Sequence, residues 1–106
     1  MIKFGYIKFS QDVSEKVAQC YTTLPEPPAE VKIRETYVFN EEGQDIRAFS
    51  IFEYDDSSES IAAEYIKKRY KAFSSVQGLS YTVENWIKVA DALEIIGSGD
   101  FNANVM

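Results

Sequence analysis

Residues 37 to 54, YVFNEEGQDIRAFSIFEY, have the pattern of a β-hairpin with large apolar side chains on both of its faces. The loop contains Gly43, which can adopt the positive φ that tight turns require. The strands carry apolar residues at both odd and even positions: Tyr37, Val38, Phe39, Phe49, Ile51, Phe52 and Tyr54. An antiparallel strand with one face in water alternates apolar and polar residues instead. We therefore predict that neither face of this hairpin is fully solvated.

The order of the remaining segments predicts a ferredoxin-like α+β fold. The spacing of apolar residues and the positions of turn residues predict a strand at 2 to 9 and a helix within 10 to 24. They also predict hairpin strands at 31 to 39 and 46 to 54, and a strand at 80 to 90. A second helix begins near Ser57 or Ser58, and its apolar stripe consists of Ile61, Ala62, Tyr65, Ile66, Tyr70 and Phe73. The order β-α-β-β-α-β predicts a four-stranded antiparallel sheet with two helices on one face.

The length of 106 residues is that of one domain, which we assign to residues 1–97, with 98–106 as a C-terminal tail. The segment DALEIIG at 91 to 97 fits either a short helix or a continuation of the last strand. Asp91 as a helix cap and Gly97 as a helix end favour the helix.

Two helices cover one face of the predicted sheet and leave the other uncovered. If EEGQ forms the hairpin loop, Phe39 lies opposite Ile46. Tyr37 then lies opposite Ala48 and shares the more apolar face with Phe39. The other face is mixed and carries Lys32, Arg34, Thr36, Val38, Arg47, Phe49, Ile51 and Glu53. Because an apolar sheet face left in water is an association site, we predict a homodimer with its two sheets face to face. The alternative is a monomer whose segment 91 to 106 covers that face.

Charge and composition restrict the partners. The net charge of −6 repels phosphate backbones, so nucleic-acid binding is not expected. The basic run KKR at 67 to 69 lies in a predicted helix, where such a run is typical of a solvated face. No segment approaches the roughly 18 apolar residues of a membrane span. The start of the chain has no signal-peptide pattern, and its single Cys20 cannot form an internal disulfide, so we expect a cytoplasmic protein.

The absence of histidine is the strongest chemical restriction. Histidine is the commonest general base near neutral pH, a haem ligand and a frequent zinc ligand. With one cysteine and no histidine, we expect neither a metal site nor a cofactor.

The motifs PPAEVKIRETYVF, IRAFSIFEYDDSSES and IKVADALEII resemble the small dimeric α+β barrel proteins, and within them a short family of uncharacterised bacterial proteins. The resemblance runs over about residues 1 to 97. It implies an Arg at the start of the third strand and a Glu at its end, positions that Arg47 and Glu53 occupy. That family has no established activity. Haem-degrading and chlorite-processing relatives depend on a histidine that this chain lacks, so their function is not carried over.

Six residues are candidates for contacting a small aromatic or anionic ligand: Tyr6, Arg34, Tyr37, Arg47, Glu53 and Trp86. An arginine in a barrel can hold a carboxylate through two parallel hydrogen bonds, although a cross-strand or intersubunit ion pair explains the same residues. The first functional hypothesis is a small-molecule-binding protein, with the ligand between sheet and helices or between two sheets. The residue types also resemble those of cofactor-independent monooxygenases, which makes an oxygenase or isomerase of aromatic compounds the second hypothesis. However, Asn85 and Trp86 should point to opposite faces. A structural homodimer without a ligand is the third, and the sequence leaves open whether the protein is an enzyme.

Overall fold

The computed structural model describes residues 1–97 and has the predicted ferredoxin-like α+β fold. The strands are β1 (Ile2–Phe9), β2 (Lys32–Phe39), β3 (Ile46–Glu53) and β4 (Ser80–Trp86). The helices are α1 (Ser14–Thr22), α2 (Glu59–Lys71) and α3 (Val89–Gly97), and short 3-10 turns lead into α1 and α2. The predicted tail, residues 98–106, lies outside the described residues, so the division at residue 97 stays a prediction.

The four strands form one antiparallel sheet in the order β2-β3-β1-β4. Strands β1 and β3 lie at the centre, and β2 and β4 are the edges. Gly43 has the positive φ, +80°, that the hairpin loop was predicted to need. Among the described residues, no helix is long and apolar enough to cross a membrane.

The hydrophobic core lies between the sheet and the helices α1 and α2. Its centre is Phe52 of β3, which is completely buried and makes edge-on ring contacts with Tyr65 and Tyr70 of α2. Burial of one such aromatic side chain contributes about 1.5 to 3 kcal/mol. The core also contains Ile7, Phe9, Val17, Val31, Ile46, Tyr54, Ala62, Ile66, Phe73 and Val76. The α2 stripe is therefore confirmed except at Ile61, which is 45% exposed.

The predicted hairpin register is correct at the start of β2, where Lys32 lies opposite Glu53, and wrong by one residue from Thr36 to Phe39. Phe39 lies opposite Arg47, and Tyr37 lies opposite Phe49. The cause is an irregularity of β2 between Ile33 and Thr36, where the pairing with β3 shifts as in a β-bulge. Because strand side chains alternate, the shift moves Tyr37 and Phe39 away from the helices and brings their even-numbered neighbours toward them.

The segment 91 to 97 is helical, which is the alternative that Asp91 and Gly97 favoured. It belongs to a helix that begins at Val89. Strand β4 consequently ends at Trp86, four residues before the predicted end at residue 90. Exposed apolar side chains remain on α3, where Val89 and Leu93 are both more than half exposed.

Candidate functional site

A cavity of about 570 Å³ lies between the sheet and the helices α1 and α2. We call it the sheet–helix cavity. Its apolar wall is formed mainly by Ile7, Phe9, Val17, Ile46, Ala48 and Phe73. Two further pockets, of about 210 and 130 Å³, are much smaller. Ligand sites commonly have volumes of about 300 to 1,000 Å³ and apolar walls, so the size and lining are those of a small-molecule site.

The cavity lies where α1 leaves the inner side of β2 uncovered. Helix α1 has only nine residues, and the proline-containing segment 25 to 28 follows it closely. Val38 of β2 faces the cavity yet remains 64% exposed, and Tyr21 of α1 is also exposed beside it. These two side chains form part of the mouth of the cavity.

Arg69 of α2 lines the cavity and is only 6% exposed. Its Nη1 donates a hydrogen bond to the Tyr65 hydroxyl at 3.4 Å, and its guanidinium lies 5.5 Å from the centre of the Phe52 ring. Within residues 1–97, no carboxylate lies within ion-pair distance of it. A buried guanidinium normally has an acidic partner, because desolvation of an unpaired charge is costly.

A row of polar groups runs along the same wall. The Thr36 and Ser50 hydroxyls are 2.8 Å apart, and Ser50 and Arg69 both lie close enough to the Tyr70 hydroxyl to lower its pKa. Burial raises the pKa of Tyr70 above its ordinary value of 10.0, against the lowering effect of Arg69 and Ser50. Tyr70 therefore carries a neutral hydroxyl near neutral pH. The row can supply several hydrogen-bond donors to a bound molecule.

All six predicted site residues lie on the sheet face that points away from α1 and α2, which we call the outer face. The strand registers place on this face Ile2, Phe4, Tyr6, Lys8, Lys32, Arg34, Tyr37, Phe39, Arg47, Phe49, Ile51, Glu53, Thr82, Glu84 and Trp86. Asn85 points to the helix side, so the predicted separation of Asn85 from Trp86 holds. None of the six residues lines the sheet–helix cavity.

An aromatic row crosses the middle of the outer face. Ring centres are 5.0 Å apart for Tyr37 and Phe49, 4.8 Å for Phe49 and Phe4, and 5.5 Å for Phe4 and Trp86. Tyr37 is 52% exposed and Trp86 is 53% exposed, even with α3 in place. The described part of the C-terminal segment thus leaves the aromatic row accessible.

Charged groups lie at the two ends of the outer face. Near one end, Glu53 accepts a hydrogen bond from Nε of Arg34 and pairs with Nζ of Lys88 at 3.2 Å. The hydrogen bonds from Arg34 and then Lys88 hold the pKa of Glu53 below its ordinary value of 4.5. At the other end, the guanidinium of Arg47 lies over the Phe39 ring, 4.1 Å from its centre. The three charged residues among the six therefore form two separate groups, Arg34 with Glu53 at one end and Arg47 at the other.

Arg69 was not among the residues predicted from the sequence, because the run KKR was interpreted as a solvated face. Lys67 and Lys68 are exposed as predicted, but Arg69 is buried. Its spacing of three from Ile66 and of four from Tyr65 and Phe73 places it on the core side of α2. That helical spacing was the signal available in the sequence.

Among residues 1–97, no three cysteine or acidic side chains cluster in a way that could hold a metal ion. No family model matches the chain. No curated protein matches it at a significant level.

Solved structures that share the fold include the following three. The de novo designed protein Foldit4 has 9% identity and a TM-score of 0.52 over 82% of this chain and 96% of its own. The de novo designed protein Ferredog-Diesel has 16% identity and a TM-score of 0.52 over 80% of this chain and 85% of its own. Rv0793 from Mycobacterium tuberculosis has 13% identity and a TM-score of 0.51 over 83% of this chain and 97% of its own. At such low identity, and with two designed proteins among them, the likeness shows the ferredoxin-like fold alone.

Proposed function

We propose that this protein binds a small organic molecule in the sheet–helix cavity and forms a homodimer through its outer face. The observation that carries the binding function is the cavity itself, about 570 Å³ with apolar walls and one row of polar groups. Apolar walls supply affinity, and a few placed polar groups fix the orientation of a ligand.

The composition of the outer face supports the homodimer. Its middle is aromatic, while Arg47 lies toward one end and the group of Arg34, Glu53 and Lys88 toward the other. An apolar centre with a polar rim is the usual anatomy of a protein–protein interface. A second copy covers an aromatic sheet face by packing its own sheet against it, at the spacing and angle of a β-sandwich.

A cofactor-independent monooxygenase or isomerase is the second candidate function. That hypothesis needs Tyr6, Tyr37, Arg47, Asn85 and Trp86 around one substrate. In this fold Asn85 and Trp86 lie on opposite sides of the sheet, and none of the five residues lines the sheet–helix cavity. A structural homodimer without a ligand is the outcome that remains if the cavity binds nothing.

The binding function is tested by NMR of the alanine methyl groups with 2-naphthamide as a neutral aromatic probe. We expect the signals of Ala18 and Ala48, which line the cavity, to shift on titration, and the signal of Ala90, on α3, to stay in place. The variant Ala18→Leu narrows the cavity and should weaken binding, whereas Ala90→Leu should not. Shifts confined to Ala90, or none at any site, contradict binding in the cavity.

A further inference from the structure

We propose that the ligand of the sheet–helix cavity is an apolar carboxylic acid and that Arg69 binds its carboxylate. This inference rests on the proposed binding function and goes further by assigning the chemical class of the ligand. Its basis is the burial of Arg69 in the cavity wall without an acidic partner in the described part of the chain.

The surroundings of Arg69 supply hydroxyl groups and aromatic rings but no negative charge. The Tyr65 hydroxyl donates its own proton to the carbonyl oxygen of Pro25 at 3.2 Å, so toward Arg69 it acts only as an acceptor. The Tyr70 hydroxyl also lies near Arg69, and it is neutral. The rings of Phe52 and Tyr21, with centres 5.5 and 5.8 Å from the guanidinium, carry no negative charge either. A guanidinium has five N–H donors in a planar fork, and neutral hydroxyl groups do not compensate its charge.

No acidic residue lines the cavity in residues 1–97. Arg69 is also its only charged lining residue there, in a protein whose net charge is −6. The cavity is therefore locally cationic within an acidic molecule. An incoming carboxylate meets one buried positive charge and no nearby acid that would compete for it, which is the arrangement that selects an anion.

The hydroxyl pair beside Arg69 extends the site. Ser50 is buried, its hydroxyl is 2.8 Å from that of Thr36, and both residues line the cavity together with Tyr70 and Arg69, which places donors along the wall that holds the guanidinium. A carboxylate accepts several hydrogen bonds at once, two of them from the guanidinium fork. The remaining apolar wall suits a ring system or a hydrocarbon chain. An apolar carboxylate thus matches both the polar groups around Arg69 and the apolar remainder of the cavity wall.

The experiment compares 2-naphthoate with 2-naphthamide, which have the same ring and nearly the same shape but differ in charge. Their affinities for the full chain are measured by calorimetry near neutral pH, with the methyl signals of Ala18 and Ala48 reporting where each probe binds. We expect the naphthoate to bind more tightly by a factor on the order of 10 to 100, the usual effect of a charge-assisted hydrogen bond.

Variants separate Arg69 from the rest of the cavity. Arg69→Met keeps an unbranched side chain without the charge. This variant should bind naphthoate and naphthamide about equally. Arg69→Lys should keep part of the preference, because it keeps the charge without the planar fork. Lys68→Met, next to it but exposed, is the matched control and should keep the whole preference. Circular dichroism and the alanine methyl spectrum verify that each variant is folded.

Each outcome decides something different. Equal binding of both probes at Ala18 and Ala48 overturns the carboxylate inference and leaves the proposed binding function standing. A preference for naphthoate that survives in Arg69→Met overturns the role of Arg69. Failure of both probes to bind up to their solubility limits overturns the binding function and this inference together.

Discussion

The hydroxyl oxygen of Tyr70 lies directly over Gly5, so close that a β-carbon at Gly5 would be 1.9 Å away from it. Gly5 is in the central strand β1 and pairs with Ser50 of β3. The absence of a side chain there lets the Tyr70 hydroxyl reach the sheet close to Ser50. The polar row of the cavity thus depends on one glycine.

We expect Gly5→Ala to lower the free energy of unfolding by about 1 to 3 kcal/mol, the usual cost of overpacking a core. The intrinsic preference of a strand for Ala over Gly, about 0.5 to 1 kcal/mol, is too small to reverse the sign. Urea denaturation measures the change. Gly97→Ala is the control, because a β-carbon there would meet no atom of residues 1–97 within 4 Å. Equal stability of Gly5→Ala and the unmodified protein would show that Tyr70 moves away at no cost.

The homodimer predicts a solution mass near twice 12.1 kDa that persists on dilution in light scattering. Tyr37→Lys should raise the dissociation constant of the dimer by at least on the order of 100-fold, because it buries an unpaired charge in the aromatic centre of the interface. Val38→Lys changes the next residue of β2, which is also exposed but faces the cavity, and should leave the mass unchanged. A monomeric unmodified protein, or the same mass for both variants, contradicts an interface on the outer face.

Glu53 should titrate below its ordinary pKa of 4.5, since Arg34 and Lys88 stabilise the carboxylate. A carboxyl group with a lowered pKa in the folded state adds stability that is complete above pH 4.5 and is lost as the pH falls through the lowered pKa. Carboxyl carbon NMR gives the pKa directly. Arg34→Met should raise the pKa of Glu53 toward 4.5, and Arg47→Met should not, because Arg47 contacts Phe39 instead. An unchanged pKa in Arg34→Met would remove Arg34 as the main cause.

Arg69→Met should leave the unfolding free energy unchanged or raise it by up to about 2 kcal/mol, because it removes a buried charge that has no acidic partner in residues 1–97. Thermal unfolding without any ligand measures this effect. Lys68→Met, which removes only the exposed pair with Glu64, should change stability by less than about 0.5 kcal/mol. A loss of several kcal/mol in Arg69→Met would mean that Arg69 stabilises the fold and is not held there for a ligand.

The order and type of the elements could be predicted from the sequence because each has a strong local period. Strand β1 has the predicted bounds, and the core face of α2 is correct for Tyr65, Ile66 and Tyr70. The end of β4 was placed too late, because the residues after Trp86 are apolar enough for either a strand or a helix. Boundaries of this kind depend on packing that the local sequence does not contain.

The site could not be predicted in the same way, because a cavity is a gap between elements. Its size depends on how far α1 reaches across β2, which periodicity does not report. The six residues chosen by chemical type do share one sheet face, but it is the face opposite the cavity. Their role in ligand binding stays a prediction.

The irregularity between Ile33 and Thr36 has a consequence for changes in chain length. Beyond it, Thr36 and Val38 face the cavity while Tyr37 and Phe39 face outward. Deletion of a single residue within the irregularity would remove this change of register, so that the residues of β2 on one side of it would have to exchange faces. One residue of backbone therefore sets the chemistry of both surfaces at this edge of the sheet, and no point substitution could make the same exchange.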